Sequence, residues 1–232
     1  MICGYDAGAR MLLNAILEEI DPEVTRPVIF AAGERPRDVP AEFTWISGDP
    51  TKESELDKGR ISHASAAIIV GSRAMVPQQA DATTILTVFT IRRYLQQQPR
   101  TELRVRPLYI VAEILDAENV EHALSAGADE VIETNRLGFS LLSHAIVMRG
   151  SGAIMSRVVS SGAHSLYVGC PPDQPQTYGE LRQRVRAETG ALVIGLRDSV
   201  SGRDTLNPAD DFQVTSSMQI IYLAEKPVLP EV

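Results

Sequence analysis

Positive charge is in short supply in this chain of 232 residues: 22 Lys and Arg stand against 30 Asp and Glu, a net charge of −8. That balance argues against nucleic acid as the main partner and favours solubility. Long apolar runs are missing too. No stretch approaches the ~18 uninterrupted apolar residues that read as a transmembrane helix. The start, Met1-Ile2-Cys3-Gly4-Tyr5, has neither the basic flank nor the apolar run of a signal peptide. Cysteine is limited to Cys3 and Cys170, far apart in sequence, which reads as two reduced cytosolic thiols rather than a disulfide framework. There is no G-x-S-x-G, no Walker A lysine and no C-x-x-C, and His63, His122, His144 and His164 are too scattered for a metal-ligand spacing. The acidic pairs Asp129-Glu130 and Asp210-Asp211 read as turn and solvated-face residues.

What is present is an ordinary globular composition, 44% hydrophobic and 22% charged. Over the first two-thirds, continuous apolar strands alternate with amphipathic helices. Strands are expected at 1–3, 27–32, 43–46, 66–70, 108–112 and 130–132. Helices are expected at 8–20, 51–58, 81–97, 117–126 and 136–147, with Asp81 and Asn135 as N-caps and Gly127 closing the fourth. Alternation of this kind, with strands apolar throughout, predicts an α/β fold: a Rossmann-like parallel sheet covered on both faces. Gly150-Ser151-Gly152 then reads as a flexible joint. The remainder, with a helix at 153–159, strands at 165–168, 191–196 and 219–224 and a helix at 178–189, reads as a small α+β domain. The first strand begins at residue 1, with three residues before its glycine turn, so the chain reads as a piece starting inside a longer protein.

The turn Gly4-Tyr5-Asp6-Ala7-Gly8-Ala9-Arg10 sits where a dinucleotide fingerprint belongs. In G-x-G-x-x-G the first glycine makes the turn, the second admits the pyrophosphate and the third lets helix and strand pack closely. Here Gly4 takes the first position, Asp6 the second and Ala9 the third, with Gly8 out of register. Asp6 puts a side chain and a negative charge where a diphosphate would lie. The acid expected at the end of the second strand falls on Gly33, with Glu34 one residue on. Ordinary NAD binding is therefore doubtful. Two readings stay open: Gly4 and Gly8 make only a tight turn, or the helix N-terminus holds a mononucleotide or another small ligand. The loop 72–79 follows a central strand at the rim where open α/β sheets bind ligands. Its Ser72 and Arg73 would contact an anion there, or belong to a plain solvent loop.

Several segments together resemble RCK domains, which regulate potassium conductance, and the related KTN/Trk-type subunits. They are Gly48-Asp49-Pro50-Thr51, then Ala112-Glu113-Ile114-Leu115-Asp116-Ala117-Glu118-Asn119, then Ala126-Gly127-Ala128-Asp129-Glu130-Val131-Ile132. The C-terminal part resembles the RCK-C lobe at Gly190-Ala191-Leu192-Val193-Ile194-Gly195, Leu206-Asn207-Pro208 and Ile220-Ile221-Tyr222-Leu223-Ala224. The resemblance implies a Rossmann-like lobe over 1–134, crossover helices over 135–162 and an RCK-C lobe over 163–232. It also implies a soluble domain on the cytoplasmic side of a membrane channel or transporter, a homodimer, and assembly into a ring octamer. The crossover carries Leu137, Phe139, Leu141, Leu142 and Ile146, more than one apolar stripe needs, so part of it is expected to meet a partner subunit.

Ligands differ within that family. Its calcium sites use an aspartate ending strand four and two glutamates on strand five; those positions here are Gly71, Glu113 and Leu115. Glu113 alone is too little for calcium, which takes about six to eight oxygens. A calcium site built elsewhere would use Asp6, Glu34 or Asp49. The expected ligand contacts are thus Gly4, Tyr5, Asp6, Ala7, Gly8, Glu34, Asp49, Ser72, Arg73 and Glu113, for a nucleotide or a divalent cation. Three functional readings follow. The first is a non-enzymatic ligand-sensing domain. The second is a structural RCK layer with an empty cleft. The third is an NAD(P)-dependent oxidoreductase, which lacks an evident cofactor turn and catalytic acid or base.

Overall fold

The computed structural model describes residues 1–6, 9–22, 24–97, 106–159, 164–170 and 176–230. The chain divides into two compact units, Met1–Val147 and Met148–Val232.

The first unit runs β1 (Ile2–Cys3), α1 (Arg10–Glu19), β2 (Val28–Ala31), β3 (Thr44–Ser47), α2 (Glu53–Leu56), β4 (Ala66–Ile69), α3 (Pro77–Gln97), β5 (Tyr109–Ile114), α4 (Val120–Ala126), β6 (Glu130–Glu133) and α5 (Thr134–Val147). Its six strands form one sheet of order β3-β2-β1-β4-β5-β6, every pairing parallel. Successive strand residues face opposite layers, and the two residues of β1 show why these strands are apolar throughout. Ile2 packs with Leu13, Ile29, Val39 and Phe43 on the α1 side. Cys3 packs with Phe30, Ile69, Ile110, Val88 and Ile91 on the α3 side. The sheet bears out the expected Rossmann-like fold. Burial pushes the Cys3 thiol up to about 12, so it is protonated and inert at neutral pH. In the native protein, Ellman's reagent should titrate one thiol, Cys170, and a second only after denaturation; two native equivalents would contradict this packing.

Two cap expectations are corrected. Helix α3 starts at Pro77, so Asp81 lies a full turn inside it, completely buried. Its carboxylate accepts from the backbone N–H groups of Leu115 (2.9 Å) and Asp116 (3.0 Å) and from Asn119 Nδ2 (2.9 Å). It is a clasp on the β5–α4 loop rather than a cap. Asn135 lies inside the first turn of α5, which starts at Thr134, and donates through Nδ2 to the Leu115 carbonyl (3.2 Å).

The second unit runs α6 (Ser151–Val159), β7 (Ser165–Gly169), β8 (Gln176–Thr177), α7 (Tyr178–Thr189), β9 (Leu192–Asp198), β10 (Asp204–Leu206), β11 (Gln213–Val214) and β12 (Met218–Ala224). Four strands make an antiparallel sheet of order β10-β9-β12-β7, and β8 pairs with β11. Helix α7 opens with a reciprocal cap between Thr177 and Glu180 and closes at Gly190 in the left-handed region (φ 76°). Its Tyr178, Leu181 and Val185 pack on Val193, Leu196, Ile220 and Tyr222. The short strands β8, β10 and β11 were not expected: β10 and β11 lie between the strands expected at 191–196 and 219–224 and are too short and too polar to show a period.

Candidate functional site

In the sheet order, the chain leaves β1 toward one face and β4 toward the other. The carboxyl ends of these two neighbours therefore open a crevice, the place where open α/β sheets hold ligands. Gly4 begins it. Its φ of 88° is in the left-handed region, and a Cβ there would stand 2.7 Å from the Val70 carbonyl oxygen. Only glycine turns the chain this close to β4.

Asp6, two residues on, accepts from the Arg73 backbone N–H and from Ser72 Oγ (3.4 Å). Arg73 then reaches across to Glu113, pairing its guanidinium with Oε1. Glu113 is 8% exposed and accepts from two further donors: Gly71 N–H on Oε2 (3.2 Å) and Thr134 Oγ1 on Oε1 (2.8 Å). One line of contacts thus ties the carboxyl ends of β1, β4, β5 and β6. Of the expected site residues, the structure brings Asp6, Ser72, Arg73 and Glu113 together beside Gly4. Thr134 was missed. It follows β6 directly, and nothing in its sequence neighbourhood signals that strand pairing brings it to Glu113.

Tyr5 turns toward the β2–β3 loop. Its hydroxyl donates to Asp38 Oδ2 (3.1 Å) and its ring stands edge-on to Trp45 at 5.6 Å. Burial and the Asp38 carboxylate push its phenol up. Arg35 closes the same loop through the carbonyls of Phe43 (3.0 Å) and Pro40 (2.8 Å). Glu34 is exposed in that loop. Asp49 lies after β3, at the far edge of the sheet from β4 and β5. Its Oδ1 accepts from Thr51 Oγ1 (2.7 Å) and Thr51 N–H (3.0 Å), which holds its carboxyl below the usual range. Ala7 and Gly8 lie outside the described residues.

The crevice does not fit a dinucleotide in the usual way. The Asp6 carboxylate occupies the second-glycine position and is held there by Ser72 and Arg73. Nor do acids converge on a cation: among the described residues, no group of three His, Cys, Asp or Glu is placed to hold a metal. Chemically, the site offers one buried carboxylate already bound by a guanidinium, with a second carboxylate on the backbone beneath it.

Residues 33–123 match the model of the calcium-activated potassium channel slowpoke-like RCK domain. A calcium-gated potassium channel of Thermoplasma volcanium, TvoK, is 29% identical over 149 residues, which is 63% of this chain and 39% of that channel. The chain therefore spans about two-fifths of the length of this curated relative. The human SLO3 gating ring superposes with a TM-score of 0.73 over 97% of this chain and 44% of that one, at 15% identity. That likeness is one of fold. Among the described residues, no helix is long and apolar enough to cross a membrane. The matched segment runs from just after β2 into α4 and contains Glu34, Asp49, Ser72, Arg73 and Glu113, so over these residues the chain is similar to a slowpoke-like RCK domain.

Proposed function

We propose that this chain is a cytoplasmic regulatory domain of a potassium channel or potassium transporter, part of a gating ring that couples a small ligand to the pore. It acts without chemistry of its own. A ligand that binds one arrangement of paired domains better than another shifts their populations and so biases the pore. The observation that carries this reading is the RCK match lying over the elements that build one side of the crevice. A thermal-shift panel of NAD, NADH, ATP, ADP, AMP, calcium and magnesium, with an EDTA control, tests it. A ligand at about 100 times its Kd adds roughly 2.7 kcal/mol to the folded state, a shift of several degrees. A selective rise is expected. A flat panel on the folded protein would overturn the sensor and leave the second reading, a structural layer of the ring. That second reading is favoured by the Arg73–Glu113 pair, in which the buried carboxylate already has a cationic partner.

Pairing into homodimers, and from there into a ring octamer, belongs to the same proposal. Helix α5 has no buried residue, yet Phe139, Leu142 and Ile146 are 69%, 65% and 82% exposed. Apolar surface of that extent on one helix marks a protein contact. Phe139→Asp is expected to halve the mass measured by light scattering while leaving the circular dichroism spectrum unchanged. A monomeric parent, or a dimeric variant, would contradict this use of α5.

A further inference from the structure

We infer that Arg73 is a tethered ligand: its guanidinium occupies the crevice in cis and holds the β1 turn, the β4–α3 loop and the end of β5 in one arrangement. The inference goes beyond the channel reading, because it concerns what fills the crevice whatever the domain regulates.

The contacts are arranged as they would be around a bound cation. Glu113 is nine-tenths buried, and a carboxylate withdrawn from water needs a charged partner as well as hydrogen bonds. Gly71 N–H and Thr134 Oγ1 provide the hydrogen bonds. Among the described residues, the cationic group that pairs with it is Arg73, which arrives from the neighbouring loop, 40 residues away in sequence. The same residue is bound at its other end. Its backbone N–H is held by Asp6, and Ser72 Oγ donates to the same carboxylate oxygen. The backbone of Arg73 is thus anchored to the β1 turn and its side chain to β5, so the residue spans the crevice mouth as a strap.

Arginine suits this role. Its guanidinium is always charged and weakly hydrated, and it spreads donors over a planar fork. The Arg73 side chain is 46% exposed and the Glu113 side chain 9%, so the strap closes from the solvent side onto a fixed buried acceptor. In a sensor, this is the state a ligand must displace. In a structural layer, it is the permanent state.

Chemical rescue tests the assignment. Arg73→Ala should melt roughly 5 °C below the parent, because it strands Glu113 without a counter-charge. Ethylguanidinium at low millimolar concentration should then raise the midpoint of Arg73→Ala saturably. It should leave the parent and the double variant Arg73→Ala/Glu113→Gln unmoved. Rescue of none of the three proteins, or equal shifts in all, would overturn the proposal, as would an Arg73→Ala midpoint equal to the parent's. Should Arg73→Ala fail to fold, hydrogen exchange on the unaltered protein and on Arg73→Lys decides. The Gly71 and Arg73 amides should be protected in the parent and exchange at least tenfold faster in Arg73→Lys. Exchange of these amides in the parent at the rate of an open loop would overturn it.

Discussion

Asp81→Ala should lower the thermal midpoint of the N-terminal unit by about 10 °C, corresponding to about 3 kcal/mol for a domain of this size. Asp81 is completely buried in α3, and three donors converge on it: two backbone N–H groups of the β5–α4 loop and the Asn119 amide. Removing the carboxylate leaves these part-buried donors without their acceptor, and an unmet buried donor is costlier than an absent pair. Asp81→Asn should fall in between, because one side of its amide presents N–H groups to donors. The loop so released begins two residues after Glu113, so slower ligand-independent exchange at Leu115 and Asp116 should vanish in Asp81→Ala. A calorimetric midpoint within about 2 °C of the parent would show that the clasp contributes little.

Gly4→Ala should cost about 3 kcal/mol, through two separable effects. The first is backbone strain, about 1 kcal/mol for a side chain in the left-handed region, since φ here is 88°. The second is collision. The new Cβ would meet the Val70 carbonyl at 2.7 Å, and that carbonyl cannot withdraw freely because Val70 N–H donates to Cys3 (3.0 Å). Gly33 offers the control. Its φ is 87°, yet nothing lies within 4 Å of its Cβ position. Gly33→Ala should therefore show the strain alone, about 1 kcal/mol. Urea titration of both variants separates the terms. Equal losses would mean that the β1 turn has room that the structure does not show. The comparison bears on function, because the crevice is narrow at the point where Gly4 lets β1 approach β4.

The segments that carry the family resemblance prove to be fastenings of the fold. In Gly48-Asp49-Pro50-Thr51, a Cβ on Gly48 would stand 2.3 Å from the Phe30 ring, and Asp49 ties Thr51 while its own N–H donates to Glu55 (3.1 Å). In Ala126-Gly127-Ala128-Asp129, the Gly127 carbonyl accepts from Arg92 Nε (2.7 Å) and Asp129 accepts from Ile110 N–H (2.6 Å). In the Glu113 segment, Asp116 caps Glu118 (3.1 Å) and Asn119 reaches Asp81. Each pattern is legible in sequence because it is local: a turn, a cap, or a glycine beside an acid. Each segment also has a partner between 6 and 38 residues away, and no spacing rule reveals it.

The division between sequence and tertiary structure follows from that range. Apolar runs between helical periods determine a parallel sheet, since strands buried on both faces must be apolar at every position, as Ile2 and Cys3 are. The glycine turn after β1 and the replacement of its second glycine by Asp6 are equally plain in the sequence, and they count against dinucleotide binding without any coordinates. The strand order was beyond the sequence, because pairing of β1 with β4 joins segments that no local pattern connects. That order decides everything else at the crevice. It sets Asp6 against Arg73, Arg73 against Glu113 and Thr134 behind them, and it leaves Asp49 at the far edge of the sheet. Asp81 shows the same limit: as a sequence, an acid ahead of an apolar helix reads as a cap, and only the packing of α3 against the end of β5 makes it a buried clasp.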